Sequence, residues 1–241
     1  MARFFVDYIV KDNPVLKDED ATHILKSLRM KVDDEITICD RNSTDHICVI
    51  ESIKENKIFL KVKESNPCLN EPSIYVTLYQ SLPKFDKMDL IVQKAVELGV
   101  SEIVPVLTKR CISRPDEKSI GKKILRWQKI SKEASKQSRR GRIPKIGDLI
   151  SLESAVKESN KSQVSMVFYE LMGKKIGDII EDTPKTISIF VGPEGGFDKD
   201  EILNMSSYNI KSATLGRRIL RTETAPIAAL SIIMYETGNM Q

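Results

Sequence analysis

The apolar positions of the first 70 residues fall mainly in short runs. Glu35–Asp40, His46–Ile53 and Lys57–Lys63 are rich in β-branched residues, with Asp40-Arg-Asn-Ser and Glu55-Asn between them. Short β-branched runs bounded by turn-forming residues predict strands. One helical pattern interrupts them: from Asp18 onward, Ala21, Ile24, Leu25 and Leu28 recur at helical spacing. The expectation is a small barrel with a helix at its side. Asn66-Pro-Cys-Leu-Asn-Glu-Pro72 has two prolines and no periodicity, so it reads as a linker. The expected domains are 1–70 and 71–241.

After the linker the pattern alternates. Ser73–Gln80, Glu102–Leu107, Val164–Tyr169, Thr186–Val191 and Ile210–Leu215 read as strands. Asp86–Leu98 reads as a helix, with Met88, Ile91, Val92, Ala95 and Leu98 on one face and Gly99 as its stop. Further helices are expected at Glu117–Ser138, Lys174–Ile180, Lys199–Met205 and Thr224–Thr237. Strands alternating with helices predict an α/β fold with a mostly parallel sheet covered on both faces.

Composition adds little to this picture. A hydrophobic content of 41% fills a core, and 30% charged residues give an ordinary solvated surface. Asp7 interrupts the first apolar run, which makes a poor export signal. The longest apolar stretch, Pro226–Tyr235, falls short of the roughly 20 residues that a membrane span needs. The expected location is the cytoplasm. Cys39, Cys48, Cys68 and Cys111 show no C-x-x-C spacing, and only His23 and His46 are available to join them. Reduced thiols are expected, and no metal.

Charge changes the picture more. Lys109–Lys145 holds 14 Lys/Arg against 3 Asp/Glu, a local surplus of +11, while the whole chain carries +4. The remainder is therefore acidic. A basic segment on an acidic protein suits a polyanion such as RNA. Within it, Ile120, Ile124, Trp127, Ile130 and Ala134 form an apolar stripe for packing. Arg139, Arg140 and Arg142 offer planar, bidentate donors suited to phosphate. Arg3, Lys26, Arg29 and Lys31 are further candidate phosphate contacts in the first domain, and Lys84 in the second.

The chemistry-bearing signal lies in two glycine-containing strand ends. Phe190-Val-Gly-Pro-Glu-Gly-Gly-Phe197 follows the strand TISIFV and precedes a helix. Leu215-Gly-Arg-Arg-Ile-Leu-Arg-Thr-Glu-Thr-Ala225 follows the next strand in sequence, and Thr222 or Thr224 is the expected cap of the last helix. Ligands of parallel α/β sheets bind at the carboxyl ends of strands. Leu215, Ile219 and Leu220 would supply an apolar wall, and Arg221 with the helix amino end would supply positive potential. The chain has neither a G-x-G-x-x-G dinucleotide fingerprint nor a G-x-x-x-x-G-K-[ST] phosphate loop, which counts against a nicotinamide enzyme.

VGPEGGFDKDE and LGRRILRTETA resemble the two signature motifs of the RsmE-type methyltransferases, a family of the SPOUT superfamily. RFFV at Arg3–Val6, HILKSLRMKVDDEI at His23–Ile36, KFDKMDLIVQKAVELGV at Lys84–Val100 and EASKQSRR at Glu133–Arg140 also look like family stretches. The resemblance implies a carboxyl-terminal trefoil-knotted domain behind a small PUA-like RNA-binding β-barrel domain. It implies methylation, from S-adenosylmethionine, of N3 of a uridine in 16S rRNA of the small ribosomal subunit, by a homodimer. Carried over by motif, Gly192, Pro193, Glu194, Gly195, Gly196, Leu215, Gly216, Ile219, Leu220, Arg221 and Thr224 would hold the cofactor.

N3 of uracil carries a proton and lies on the pairing edge, so the base must leave its pair and lose that proton. Arg221 is the candidate for stabilising charge on the uracil carbonyls. Glu223 and Glu194 are the candidate bases, with water as the other acceptor. Two further readings stay open: a ribosome-assembly RNA-binding protein without chemistry, and an enzyme methylating another RNA atom such as a ribose 2′-hydroxyl.

Overall fold

A computed structural model describes residues 1–169 and 173–240. The chain forms two compact units, one of residues 1–71 with 135–142 and one of 72–134 with 143–241. The segment with Arg139, Arg140 and Arg142, expected in the second domain, thus belongs to the first unit.

The first unit is a five-stranded sheet in the order β1-β3-β4-β5-β2. Its strands are β1 (Ala2–Phe5), β2 (Val15–Leu16), β3 (Glu35–Cys39), β4 (Thr44–Lys54) and β5 (Lys57–Pro67). β1 runs parallel to β3, and the other pairs are antiparallel. Glu55 and Asn56 form the two-residue turn between β4 and β5, both with positive φ. That geometry matches the twist of a hairpin. Period-two alternation puts Ile36, Ile38, Cys48, Ile50, Ile58 and Leu60 into one core with Phe4, Leu16, Ala21 and Ile24. The predicted helix is a short α1 (Asp18–Thr22) followed by a π-helical turn, His23–Ser27. Leu28, expected on its apolar face, is exposed.

The second unit has one parallel sheet in the order β12-β10-β11-β6-β7-β8, with β9 also pairing β7. The strands are β6 (Tyr75–Ser81), β7 (Glu102–Leu107), β8 (Lys145–Ile146), β9 (Ile150–Ser151), β10 (Val164–Phe168), β11 (Thr186–Val191) and β12 (Lys211–Ala213). Every one of these pairings is parallel. The helices are α2 (Lys87–Glu97), α3 (Glu117–Gln137), α4 (Leu152–Ser159), α5 (Ile176–Ile179), α6 (Lys199–Ser207) and α7 (Thr224–Glu236). Two clusters of buried side chains hold the layers together. One joins Leu78, Ile91, Val92, Trp127, Ile189, Leu230 and Ile233; the other joins Tyr79, Val104, Val156, Phe190, Phe197 and Met205. A sheet buried on both faces explains why its strands read as continuous apolar runs.

The four cysteines are free, and three of them are buried. Burial pushes the Cys39 thiol up to about 12 and the Cys48 thiol up to about 11, so both stay protonated at neutral pH. No helix of the described residues is long and apolar enough to cross a membrane.

Candidate cofactor site

The strand order separates the strands that carry the two glycine loops. The two glycine loops follow β11 and β12, which are consecutive in sequence but are not neighbours: β10 lies between them. The loops therefore converge over the carboxyl end of β10. Phe168 and Tyr169 from that end, Val191 and Ala213 line the cavity between the loops. Its volume is about 460 Å³, within the range of roughly 300–1,000 Å³ usual for small-molecule sites.

The first loop is a tight turn. Gly196 donates its N–H to the Pro193 carbonyl at 2.9 Å and has φ +66°. A Cβ on Gly192 would lie 3.3 Å from the Gly196 backbone, a tight approach that a side chain there would make only by shifting the turn. Arg110 straps the turn from outside, donating to the Gly195 carbonyl at 2.9 Å and to Asp198 at 3.1 Å. Asp198 caps α6 in a reciprocal capping box with Glu201.

The second loop crosses back from the sheet edge toward its centre. Gly216 has φ +97°, and among the described residues a Cβ there would meet no atom within 4 Å beyond its own chain neighbours. Thr222 anchors the return: its hydroxyl donates to the Gly192 carbonyl at 2.7 Å and accepts from Gln80 Nε2 at 3.3 Å. The expected capping role of Thr222 or Thr224 is thus not what these residues do. Glu223 occupies the cap position of α7, without a side-chain cap, and Thr222 ties the second loop to the first.

The structure brings most of the predicted cofactor residues together. Gly192, Pro193, Glu194, Gly195, Gly196, Leu215, Gly216, Ile219, Leu220 and Arg221 all line the cavity. Thr224 does not; it is the exposed first residue of α7. Ile219, expected as an apolar wall, is 84% exposed. Arg217 and Arg218 line the cavity too, so its mouth carries three arginines with Arg221.

The two candidate bases are engaged elsewhere. Lys87 Nζ lies 2.9 Å from Glu194 and 3.1 Å from Glu223. Burial alone would raise the Glu194 carboxyl. The hydrogen bonds from Lys87 and from backbone amides outweigh that and hold it below the usual carboxylate range. A carboxylate so stabilised is a poor proton acceptor. Sequence reading missed Lys87 and Gln80, whose partners Glu194, Glu223 and Thr222 lie more than 100 residues away, and nothing local marks them; it saw Thr222 only as a cap.

The candidate RNA contacts divide. Arg3 is buried, with both terminal nitrogens on Asp45 and Nε on the Arg140 carbonyl at 2.9 Å. Arg140 is 3% exposed and grips Glu71 through Nε at 3.0 Å and Nη2 at 2.8 Å. Those donors are committed to carboxylates and a backbone carbonyl within the protein, so neither residue is retained as a phosphate contact. Lys26, Arg29, Lys31, Arg139 and Arg142 are exposed and Lys84 is half-buried. Arg142 also reaches the Ser43 hydroxyl at 3.2 Å.

A parallel sheet with a glycine-lined cavity over its carboxyl ends defines an α/β protein with a cavity where ligands of such sheets bind. The comparisons with known proteins agree on the kind. Residues 70–234 match the RNA methyltransferase domain family, and residues 16–63 match the RNA methyltransferase PUA domain. The chain is 32% identical to ribosomal RNA small subunit methyltransferase E of Bacillus subtilis, over 98% of this chain and 97% of that one. It is 33% identical to the enzyme of that name from Mesomycoplasma hyopneumoniae, over 96% and 98%. The crystal structure of ribosomal RNA small subunit methyltransferase E from Neisseria gonorrhoeae, bound to S-adenosyl methionine, superposes with a TM-score of 0.89 at 31% identity, over 98% and 97% of the two chains. A Legionella pneumophila methyltransferase in complex with the same cofactor gives a TM-score of 0.89 at 28% identity, over 97% of each chain. The chain belongs to the ribosomal RNA small subunit methyltransferase E family.

Proposed function

We propose that this protein transfers the methyl group of S-adenosylmethionine to N3 of a uridine in 16S rRNA of the small ribosomal subunit. The observation that carries the reading is the convergence of the two glycine loops over β10, which encloses a cavity of suitable size and lining. The residues present fit the cofactor: a tight glycine turn, an open glycine at 216, an apolar floor and arginines at the mouth. When bound, the cofactor supplies an electrophilic methyl group on a sulfonium.

The chain's own contribution is positional and electrostatic. Gly192–Gly196 and Leu215–Leu220 hold the donor, so that an extruded base can approach in line. Arg221, exposed at the cavity mouth, neutralises charge that develops on the uracil carbonyls as N3 loses its proton. With Glu194 and Glu223 bound by Lys87, we assign the proton to solvent.

We further propose that the second unit is the trefoil-knotted SPOUT domain. Support comes from the return of residues 214–223 from edge strand β12 to the Gly192 and Gln80 region. A homodimer in the cytoplasm completes the reading. Ile232 and Tyr235 are large apolar side chains left exposed on α7, which suits a subunit contact. The first unit would dock RNA, with Arg29, Arg139 and Arg142 as phosphate contacts and Lys84 serving in the second.

Two experiments address this. Small-subunit RNA incubated with the protein and S-adenosylmethionine, then digested to nucleosides, should contain a new uridine methylated at N3. A methyl group on a ribose hydroxyl would transfer support to the alternative enzyme, and no methyl group to a non-catalytic assembly factor. Replacing Arg139 and Arg142 together should weaken RNA binding and flatten its salt dependence, by about 0.7 in log–log slope per lost contact on single-stranded RNA. An unchanged slope would remove those residues from the interface.

A further inference from the structure

Lys87 is the first residue of α2 and lines the cavity. Its ammonium sits between two carboxylates from different segments. Glu194 belongs to the turn after β11, and Glu223 ends the segment after β12. Glu194 also accepts the Lys84 N–H at 3.1 Å, which fastens the turn to the residues leading into α2. Among the described residues Glu223 Oε2 is buried without a directed hydrogen bond, and the Lys87 charge 3.1 Å away compensates it. The side chains of the three are 26%, 26% and 18% exposed, too sheltered for water to screen them fully.

We infer that Lys87 is a positioning residue for the methyl-donor site, holding the β11 turn and the β12–α7 segment at the separation that lets both reach one ligand. This rests on the S-adenosylmethionine reading above. Without the ammonium, two carboxylate oxygens that lie roughly 6 Å apart at most would repel each other across the cavity wall. The segments that carry them would part. The hydrogen bond that Lys87 donates to Glu194 raises the pKa of its ammonium above the ordinary lysine value, so the clamp stays charged at neutral pH. Among the described residues, the other charged groups lining the cavity are Arg217, Arg218 and Arg221, at its mouth.

The test uses the full-length protein and four variants: Lys87→Met, Lys87→Arg, Glu223→Gln and the double variant Lys87→Met/Glu223→Gln. Calorimetry with S-adenosylmethionine should show about 10-fold weaker binding for Lys87→Met, the scale of a coupled ion pair. Lys87→Arg should bind within about 3-fold of the parent. The double variant should recover most of the loss, because removing one carboxylate removes the repulsion. At saturating cofactor the methyl-transfer rate of Lys87→Met should stay within about 3-fold of the parent.

A second readout needs no ligand. An arginine-specific protease should cut the unliganded Lys87→Met variant after Arg217, Arg218 or Arg221 faster than the parent, and cut Lys87→Arg at the parental rate. If the parent fails to bind S-adenosylmethionine, the functional reading fails, and the protease rates still decide the clamp. Parental affinity in Lys87→Met, a double variant no better than the single one, or unchanged cleavage would overturn the inference.

Discussion

Replacing Arg140 by alanine should lower the stability of the first unit by about 3 kcal/mol, the cost of leaving a buried partner charge uncompensated. Glu71, the carboxylate left behind, is 16% exposed and keeps hydrogen bonds from the Gly141 and Arg142 amides at 2.8 and 3.1 Å. These hold the cost at the lower end of the range for broken buried pairs. The Arg140 carbonyl also receives Arg3 Nε, a bond that the substitution leaves in place. For a unit of this size the change corresponds to a fall of on the order of 10–20 °C in the midpoint of its thermal transition. Arg139→Ala is the control: that side chain is exposed, its positive φ is shared by any residue with a Cβ, and the midpoint should move little. Equal small shifts for the two variants would show that the Arg140–Glu71 pair does not hold the unit together.

Arg221→Ala should slow the single-turnover methyl transfer by about 10²–10³-fold, the effect typical of removing one donor from a developing oxyanion. Affinity for S-adenosylmethionine should change far less, since Gly192–Gly196 and Thr222 remain to hold the turn. A chemical step at the parental rate would take Arg221 out of the mechanism. A loss confined to cofactor affinity would make it a binding residue.

How far the sequence was legible depended on the range of each interaction. The α2 stripe of Met88, Ile91, Val92 and Ala95 was plain because a 3.6-residue repeat is local, and all four are buried. β7 and β11 were plain because strands covered on both faces read as apolar runs. α4 went unread even though Ser151 caps it by accepting the Ser154 N–H; a helix of eight residues leaves a short pattern. β2, β8 and β9 have two residues each, and only their partners define them. Motif spacing placed the glycine loops on successive strands but could not put β10 between them.

Charge was the least transparent signal. The surplus over Lys109–Lys145 is real in the sequence, yet Arg140 spends its donors on Glu71 in a buried pair. A guanidinium aimed at phosphate and one aimed at a carboxylate look the same until the fold chooses the partner. The same holds for Glu194 and Glu223. As isolated carboxylates they read as bases, and Lys87 turns them into anchors.

Amide hydrogen exchange, with and without S-adenosylmethionine, bears most directly on the convergence of the two loops on one ligand. Saturating cofactor should slow exchange in both 192–196 and 215–223, with the same concentration dependence, and leave the first unit unchanged. Protection of only one segment, or of neither, would contradict the shared site.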